Sequence, residues 1–131
     1  MRVALIGSAD FGKAALEAFL DRGDEIVAVF CPPDNPKSSK PEVLKEAAIG
    51  RGLNPLQFAS LKSPEAAQAM IDSQADICVM AYVLQFVPQE LCKIPKHGTI
   101  QYHPSLLPKY RGPSAINWAI ALGEEKTGLT I

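Results

Sequence analysis

The stretch Gly98-Thr-Ile-Gln-Tyr-His-Pro-Ser-Leu-Leu-Pro-Lys-Tyr-Arg-Gly112 predicts a strand that runs into a loop rich in proline and glycine. Side chains alternate along a strand, so we expect Gln101 and His103 on one face, an amide beside an imidazole. Pro104 lacks the N–H that a strand ladder needs and is expected to end the strand. The pattern therefore predicts a histidine at the C-terminal end of a strand, where open α/β sheets place their ligands.

The remainder of the chain alternates apolar strand segments with amphipathic helices. Strands are predicted at Val3–Ile6, Glu25–Cys31, Leu56–Ala59 and Asp76–Ala81, before the strand to His103 and another starting at Lys126. Helices are predicted from about Phe11 to Gly23, from Glu42 to Ile49, after Ser63, and from Ser114 to Leu122. This order indicates an α/β, Rossmann-like fold with a doubly wound, mainly parallel sheet.

Two local signals refine this prediction. Ser63 followed by Pro64 is typical of an N-cap with proline at the first helical position. The segment 32–41, with prolines at both ends, predicts an irregular surface loop.

Composition favours one domain with a core, because the 131 residues are 47% hydrophobic and 21% charged. The formal net charge of -1 gives no broad attraction for nucleic acid or an anionic membrane. No apolar run approaches the roughly 20 residues of a membrane-spanning helix. We therefore predict a cytoplasmic protein with neither a nucleic-acid nor a membrane partner.

The cysteines predict no disulfide framework. Cys31, Cys78 and Cys92 are odd in number and lack paired spacing, and the first two belong to apolar strand segments. Buried free thiols in a reducing compartment are expected. No spacing of histidine and cysteine predicts a metal site.

The segment Gly7-Ser-Ala-Asp-Phe-Gly12 lies where a dinucleotide fingerprint would occur. It departs from G-x-G-x-x-G because Ala9 replaces the glycine that lets a backbone approach a pyrophosphate. The favoured interpretation is a tight turn between strand and helix. The alternative is anion binding at the helix N-terminus.

The run His103-Pro-Ser-Leu-Leu-Pro108, followed by Gly112, resembles the signature of the folate-dependent formyltransferases. The resemblance extends along the whole chain through Leu5–Gly7 with Phe11-Gly12, Gln85–Pro88, and His97–His103 running into Ser114–Trp118. Within the family, the chain is most similar to the N-terminal hydrolase domain of 10-formyltetrahydrofolate dehydrogenase. Two alternatives stay open: a methionyl-tRNA or other small-substrate formyltransferase, and a non-catalytic folate-binding domain.

The resemblance implies that 10-formyltetrahydrofolate is the substrate and formyl donor, with no NADP site in this chain. His103 corresponds to the family's catalytic histidine, expected to donate to the oxyanion or to shuttle a proton. It is expected to face a cleft walled by residues 82–88, and its alternative role is that of a structural histidine bonded to its own loop. The implied folate contacts are Tyr82, Val83, Leu84, Gln85, Phe86, Val87, Pro88, Ser105 and Leu106; ordinary core packing is the alternative for the apolar residues of segment 82–88.

Two departures from the family pattern matter. Gln101 stands where the transferases have asparagine, and its extra methylene moves the amide by over ~1 Å. The family's catalytic aspartate follows a strand corresponding to Thr127–Ile131, where this sequence ends. We therefore expect residues 1–131 to be an incomplete formyltransferase N-terminal domain with little hydrolase activity alone. A folate is the expected partner, and a homo-oligomer or a downstream domain stays open.

Overall fold

The computed structural model describes residues 1–131 as two compact units, Met1–Ile100 and Gln101–Ile131. Strands are β1 Arg2–Gly7, β2 Glu25–Cys31, β3 Pro55–Gln57, β4 Ile77–Ala81 and β5 Thr99–Gln101. Helices are α1 Ala9–Asp21, α2 Val43–Gly50, α3 Pro64–Ser73, α4 Gln89–Cys92 and α5 Ala115–Ala121. No helix has both the length and the apolar character required to cross a bilayer.

The strands form one sheet in the order β3-β2-β1-β4-β5. β1 pairs in parallel with both β2 and β4, and β2 pairs in parallel with β3. The chain thus builds outward from β1 to β3 and then returns to place β4 on the other side of β1. This reversal confirms the doubly wound prediction and creates a switch point at the carboxyl ends of β1 and β4, where Gly7 is in register with Ala81.

The core lies on both faces of the sheet, and β1 contributes to each. Ala4 and Ile6 belong to one buried cluster, together with residues of α3 and α4. Val3 and Leu5 belong to the other, together with residues of α1 and α2. A central parallel strand buried on both faces needs a continuous apolar run, which explains why its sequence lacks polar alternation.

Two local predictions for the first unit are confirmed: the N-cap at Ser63 and the irregular segment after β2. The Ser63 hydroxyl accepts from Ala66 N over 3.2 Å, and Pro64 occupies the first turn of α3. The segment between β2 and α2 contains no helix or strand, as its prolines predict. The short helix α4 was not predicted from the sequence, since a single turn of four residues carries no measurable periodicity.

The second unit corrects two predictions. β5 ends at Gln101 rather than continuing to His103, so the prediction that this strand reaches the histidine is wrong. His103 instead forms an isolated antiparallel bridge with Thr130, with reciprocal N–H to carbonyl hydrogen bonds of 2.9 Å. The strand predicted from Lys126 is reduced to that bridge. A contact across 27 residues of sequence leaves no local pattern by which either feature could be predicted.

Candidate functional site

Glycines allow close packing where β1 turns into α1. A Cβ added at Gly7 would lie 2.6 Å from the Ala81 carbonyl oxygen, and one at Gly12 would lie 3.1 Å from Leu44 Cδ2. The backbone oxygen excludes a side chain at Gly7, whereas a side chain at Gly12 would require a small shift of Leu44. This geometry supports the favoured interpretation of the segment as a tight turn.

The N-terminus of α1 is occupied by a carboxylate of the chain itself. Glu42 Oε1 accepts from Ala9 N over 2.6 Å and from the Ser8 hydroxyl over 3.0 Å. Its other oxygen accepts from Lys45 N over 2.8 Å and so caps α2. The negative charge that a helix N-terminus attracts is thus supplied internally, and the alternative of an external anion at this position gains no support.

The segment that follows β4, residues 82–88, begins at the switch point and divides by burial. Val83 and Val87 pack against the core cluster that includes Met70, whereas Leu84 and Phe86 are 65% and 69% exposed. The two interpretations of this segment therefore apply to alternate residues. Core packing accounts for Val83 and Val87. Leu84 and Phe86 are exposed, so their side chains are accessible to a ligand.

Two side-chain contacts fix the exposed part of this segment. Gln85 Nε2 donates to the Phe58 carbonyl over 2.9 Å, so this amide tethers the segment. Lys62 Nζ lies 4.7 Å from the centroid of the Phe86 ring, a cation–π distance. Tyr82 adopts φ 59° and is exposed at the start of the segment. Lys62 was missed by sequence reasoning because its partner lies 24 residues away.

His103 bonds to its own loop. Its Nε2 lies 2.7 Å from the Tyr110 carbonyl oxygen. A carbonyl oxygen only accepts, so Nε2 carries the hydrogen, and a neutral ring keeps its lone pair on Nδ1. The hydrogen bond to the Tyr110 carbonyl is the contact expected of a structural histidine. This bond uses only Nε2, so Nδ1 is available for proton transfer.

Ser105, predicted as a substrate contact, forms hydrogen bonds within the chain. The residue is fully buried, and its hydroxyl donates to the Lys109 carbonyl over 2.7 Å. Its own carbonyl accepts from the Thr130 hydroxyl over 2.8 Å. Its backbone N–H also donates to the His103 carbonyl over 2.9 Å, so all three polar groups of Ser105 close the loop. Substrate binding by Ser105 stays a prediction.

Leu106 is exposed and lies against Gly128, where an added Cβ would be 2.7 Å from Leu106 Cδ2. It lines a cavity of about 290 Å³ together with Pro108, Lys109, Tyr110, Glu124, Lys126 and Thr127. Gln101 is exposed at the end of β5. No group of three histidine, cysteine or acidic residues is arranged to hold a metal ion.

Glu124 forms a charged cluster beside the histidine loop that sequence reasoning missed. Lys109 Nζ lies 3.1 and 3.3 Å from its two carboxylate oxygens, and the Tyr110 hydroxyl donates to Oε1 over 2.7 Å. The hydrogen bond from Tyr110, followed by the Lys109 charge, holds the pKa of Glu124 below its ordinary value. The same hydrogen bond raises the pKa of Tyr110.

The whole chain, residues 1–131, matches the formyl transferase family. It belongs to that family. Its sequence is 37% identical over 135 residues to a methionyl-tRNA formyltransferase of Marinobacter nauticus, covering 100% of this chain and 43% of that protein. The methionyl-tRNA formyltransferase of Acetivibrio thermocellus is 38% identical over 135 residues, covering 99% of this chain and 43% of that protein. The chain thus spans well under half the length of these curated relatives.

Solved structures of formyltransferase-family proteins share the fold. A phosphoribosylglycinamide formyltransferase from Bacillus halodurans aligns with TM-score 0.78 and 24% identity, covering 99% of this chain and 70% of that one. A formyltetrahydrofolate deformylase from Pseudomonas syringae pv. tomato aligns with TM-score 0.76 and 22% identity, covering 98% of this chain and 44% of that one.

The comparisons confirm the resemblance at the level of the family, which is a family of enzymes, and confirm the fold class. The finer expectation, a hydrolase domain of 10-formyltetrahydrofolate dehydrogenase, stays a prediction. Both similar sequences are named methionyl-tRNA formyltransferase, which is one of the alternatives stated in the sequence analysis.

Proposed function

We propose that this chain is the donor-binding part of a formyltransferase that takes the formyl group of 10-formyltetrahydrofolate and passes it to the amino group of methionyl-tRNA. The observation that carries the proposal is the 37% identity to a methionyl-tRNA formyltransferase along the whole chain. The exposed apolar side chains after β4 are the proposed surface for the donor, and His103 is the proposed group for proton transfer.

The folate ring is proposed to bind at residues 82–88. Leu84 and Phe86 present apolar surface to solvent directly after the switch point, the place where open α/β sheets bind ligands. The backbone of this segment adds donors and acceptors for the polar edge of a flat heteroaromatic ring. The contact between Lys62 and the Phe86 ring holds that ring in place.

His103 is proposed to carry the proton transfers. The acceptor amine attacks the formyl carbon, a C–N bond forms, and the carbonyl oxygen takes the electron pair as a tetrahedral oxyanion. Collapse breaks the bond between the formyl carbon and N10, and the proton lost by the amine ends on N10. Nδ1 of His103 can accept that proton and return it to N10, while the Gln101 amide is the proposed oxyanion donor.

Hydrolysis is the second candidate. Water replaces the amine as nucleophile, and formate is released instead of a formylated acceptor. It is favoured by the fold shared with a formyltetrahydrofolate deformylase. A net charge of -1 also supplies no broad attraction for RNA, so tRNA binding needs specific contacts rather than a general basic surface.

The experiment separates donor binding from acceptor choice. Binding of tetrahydrofolate and of a non-reactive 10-formyl analogue is followed by ligand-observed NMR with the wild type, His103→Ala and the control His97→Ala. We expect all three proteins to bind the donor analogue, because binding relies on residues 82–88. Absence of binding by the folded wild type would contradict the proposal.

Turnover is then assayed with 10-formyltetrahydrofolate in the presence and absence of methionyl-tRNA. Formylation of the tRNA supports the principal proposal, and formate release that does not depend on tRNA supports hydrolysis. Either activity should fall at least 10²-fold in His103→Ala, the usual contribution of a positioned acid or base, and should persist in His97→Ala. Donor binding with neither activity agrees with the expectation that residues 1–131 have little activity alone, and it supports only the donor-binding part of the proposal.

A further inference from the structure

Backbone carbonyls of two adjacent residues close the loop that follows His103. Ser105 donates its hydroxyl hydrogen to the Lys109 carbonyl over 2.7 Å. His103 donates from Nε2 to the Tyr110 carbonyl over 2.7 Å. The position of the Lys109–Tyr110 segment therefore decides how the imidazole is oriented.

The side chains of the same two residues converge on one carboxylate. Lys109 Nζ lies 3.1 Å from Glu124 Oε1, and the Tyr110 hydroxyl donates to that oxygen over 2.7 Å. Tyr110 adopts φ 52°, in the left-handed region that residues other than glycine seldom occupy. Such a conformation persists when surrounding contacts hold it, and Glu124 supplies those contacts from 14 residues away in sequence.

We infer that Glu124 is a positioning residue for His103: its carboxylate holds the Lys109–Tyr110 segment where the Tyr110 carbonyl receives the Nε2 hydrogen. The orientation has a chemical consequence, because the hydrogen on Nε2 leaves Nδ1 as the nitrogen that accepts and releases protons. That consequence rests on the proposed function, whereas the positioning itself does not. The lowered pKa of Glu124 keeps its carboxylate charged for the contact with Lys109.

The test observes the Nε2 hydrogen of His103 directly. The His97→Gln background leaves His103 as the only imidazole, since the chain has 2 histidines. Long-range ¹H–¹⁵N spectra at about pH 8, above the ordinary histidine pKa, identify the protonated nitrogen. We expect a hydrogen on Nε2 that exchanges slowly enough with water to be detected, because the carbonyl holds it.

Two variants then separate positioning from general stability. Glu124→Ala should lose the Nε2 hydrogen signal to exchange with water while the backbone spectrum stays folded. Glu124→Gln should keep the signal, since its amide oxygen can still accept from Tyr110. A protected Nε2 hydrogen in folded Glu124→Ala, or a wild type protonated on Nδ1, would overturn the inference.

Should Glu124→Ala fail to fold, the double variant Lys109→Met with Tyr110→Phe decides. It removes both partners of Glu124 and keeps the carboxylate, and the same loss of the Nε2 signal is expected; a retained signal overturns the inference. Donor binding is assayed separately. A wild type with a protected Nε2 hydrogen and no binding of the 10-formyl analogue contradicts the proposed function and leaves the positioning role intact.

Discussion

Glu42 Oε1 lies 2.6 Å from Ala9 N, so a residue that precedes α2 satisfies the first turn of α1. Through its other oxygen, the same carboxylate accepts from Lys45 N and caps α2. One side chain thus serves the N-termini of two helices that pack on the same face of the sheet. Ala9 adopts φ 56°, and the carboxylate holds the backbone N–H of this uncommon conformation.

Replacement of Glu42 by alanine should therefore destabilise the protein by about 1–2 kcal/mol, the upper part of the range for a lost N-cap. Glu42→Gln keeps an acceptor oxygen and should lose less. The control is Glu46→Ala, because Glu46 is exposed in the first turn of α2. Urea unfolding gives the midpoint for each variant, and equal midpoints for Glu42→Ala and Glu46→Ala would contradict the shared-cap interpretation.

Gly7→Ala tests the close approach of β1 and β4. The added methyl would lie 2.6 Å from the Ala81 carbonyl oxygen, which belongs to backbone and cannot rotate away. Overpacking of this kind costs about 1–3 kcal/mol. Gly50→Ala is the matched control, since a Cβ there meets nothing within 4 Å, and it should leave stability unchanged or raise it slightly. Thermal melts of the two variants should shift in opposite directions or differ by several degrees.

The thiols should differ sharply in reactivity. Burial raises the pKa of Cys31 and of Cys78 to about 12, whereas Cys92 is only partly buried. Because the thiolate is the nucleophile, the native protein at about pH 8 should release one equivalent from a chromogenic disulfide reagent, and three should react after denaturation. In Cys92→Ser the native reaction should disappear. Rapid modification of a second native thiol would show that the strand cysteines are accessible.

Asp76 should contribute to acid unfolding. Its carboxylate accepts from Arg2 N over 2.9 Å, and this hydrogen bond lowers the pKa of Asp76 from its ordinary value of 3.8. A lowered pKa in the folded state means that the contribution is full above pH 3.8 and is lost as pH falls through the folded value. Asp76→Asn should therefore be less stable than the wild type at pH 7. The difference should shrink at about pH 2, where unfolding free energies measured in urea provide the check.

Features of the fold that depend on local sequence could be predicted, whereas those that depend on contacts between distant residues could not. β1 and β2 could be predicted because continuous apolar runs such as Val3–Ile6 are a local property of a strand buried on both faces. The bridge between His103 and Thr130, and the contact of Glu124 with Tyr110, join residues distant in sequence. His103 itself could be identified from its motif. Which of its ring nitrogens is free to accept a proton depends on those distant contacts and could not be predicted.

Segment 82–88 contains two valines packed on the core and two exposed apolar side chains, and these pairs should respond differently to substitution. Val83→Ala and Val87→Ala remove side chains packed on the core and should each cost about 1–2 kcal/mol of unfolding free energy. Leu84→Ala and Phe86→Ala remove exposed side chains and should leave stability within about 0.5 kcal/mol. If these exposed side chains hold the folate ring, their loss should weaken binding of a 10-formyl analogue at least 10-fold.

The matched control for that binding measurement is Ile71→Ala, because Ile71 is 51% exposed on α3 and has no proposed contact with folate. Ligand-observed NMR titrations of the three variants compare the affinities, and urea unfolding confirms that each protein is folded. Unchanged affinity in both Leu84→Ala and Phe86→Ala would show that the ring binds elsewhere, whatever the catalytic role of His103. Weaker binding together with unchanged stability would mean that the two exposed side chains are kept for the ligand, since the fold does not need them.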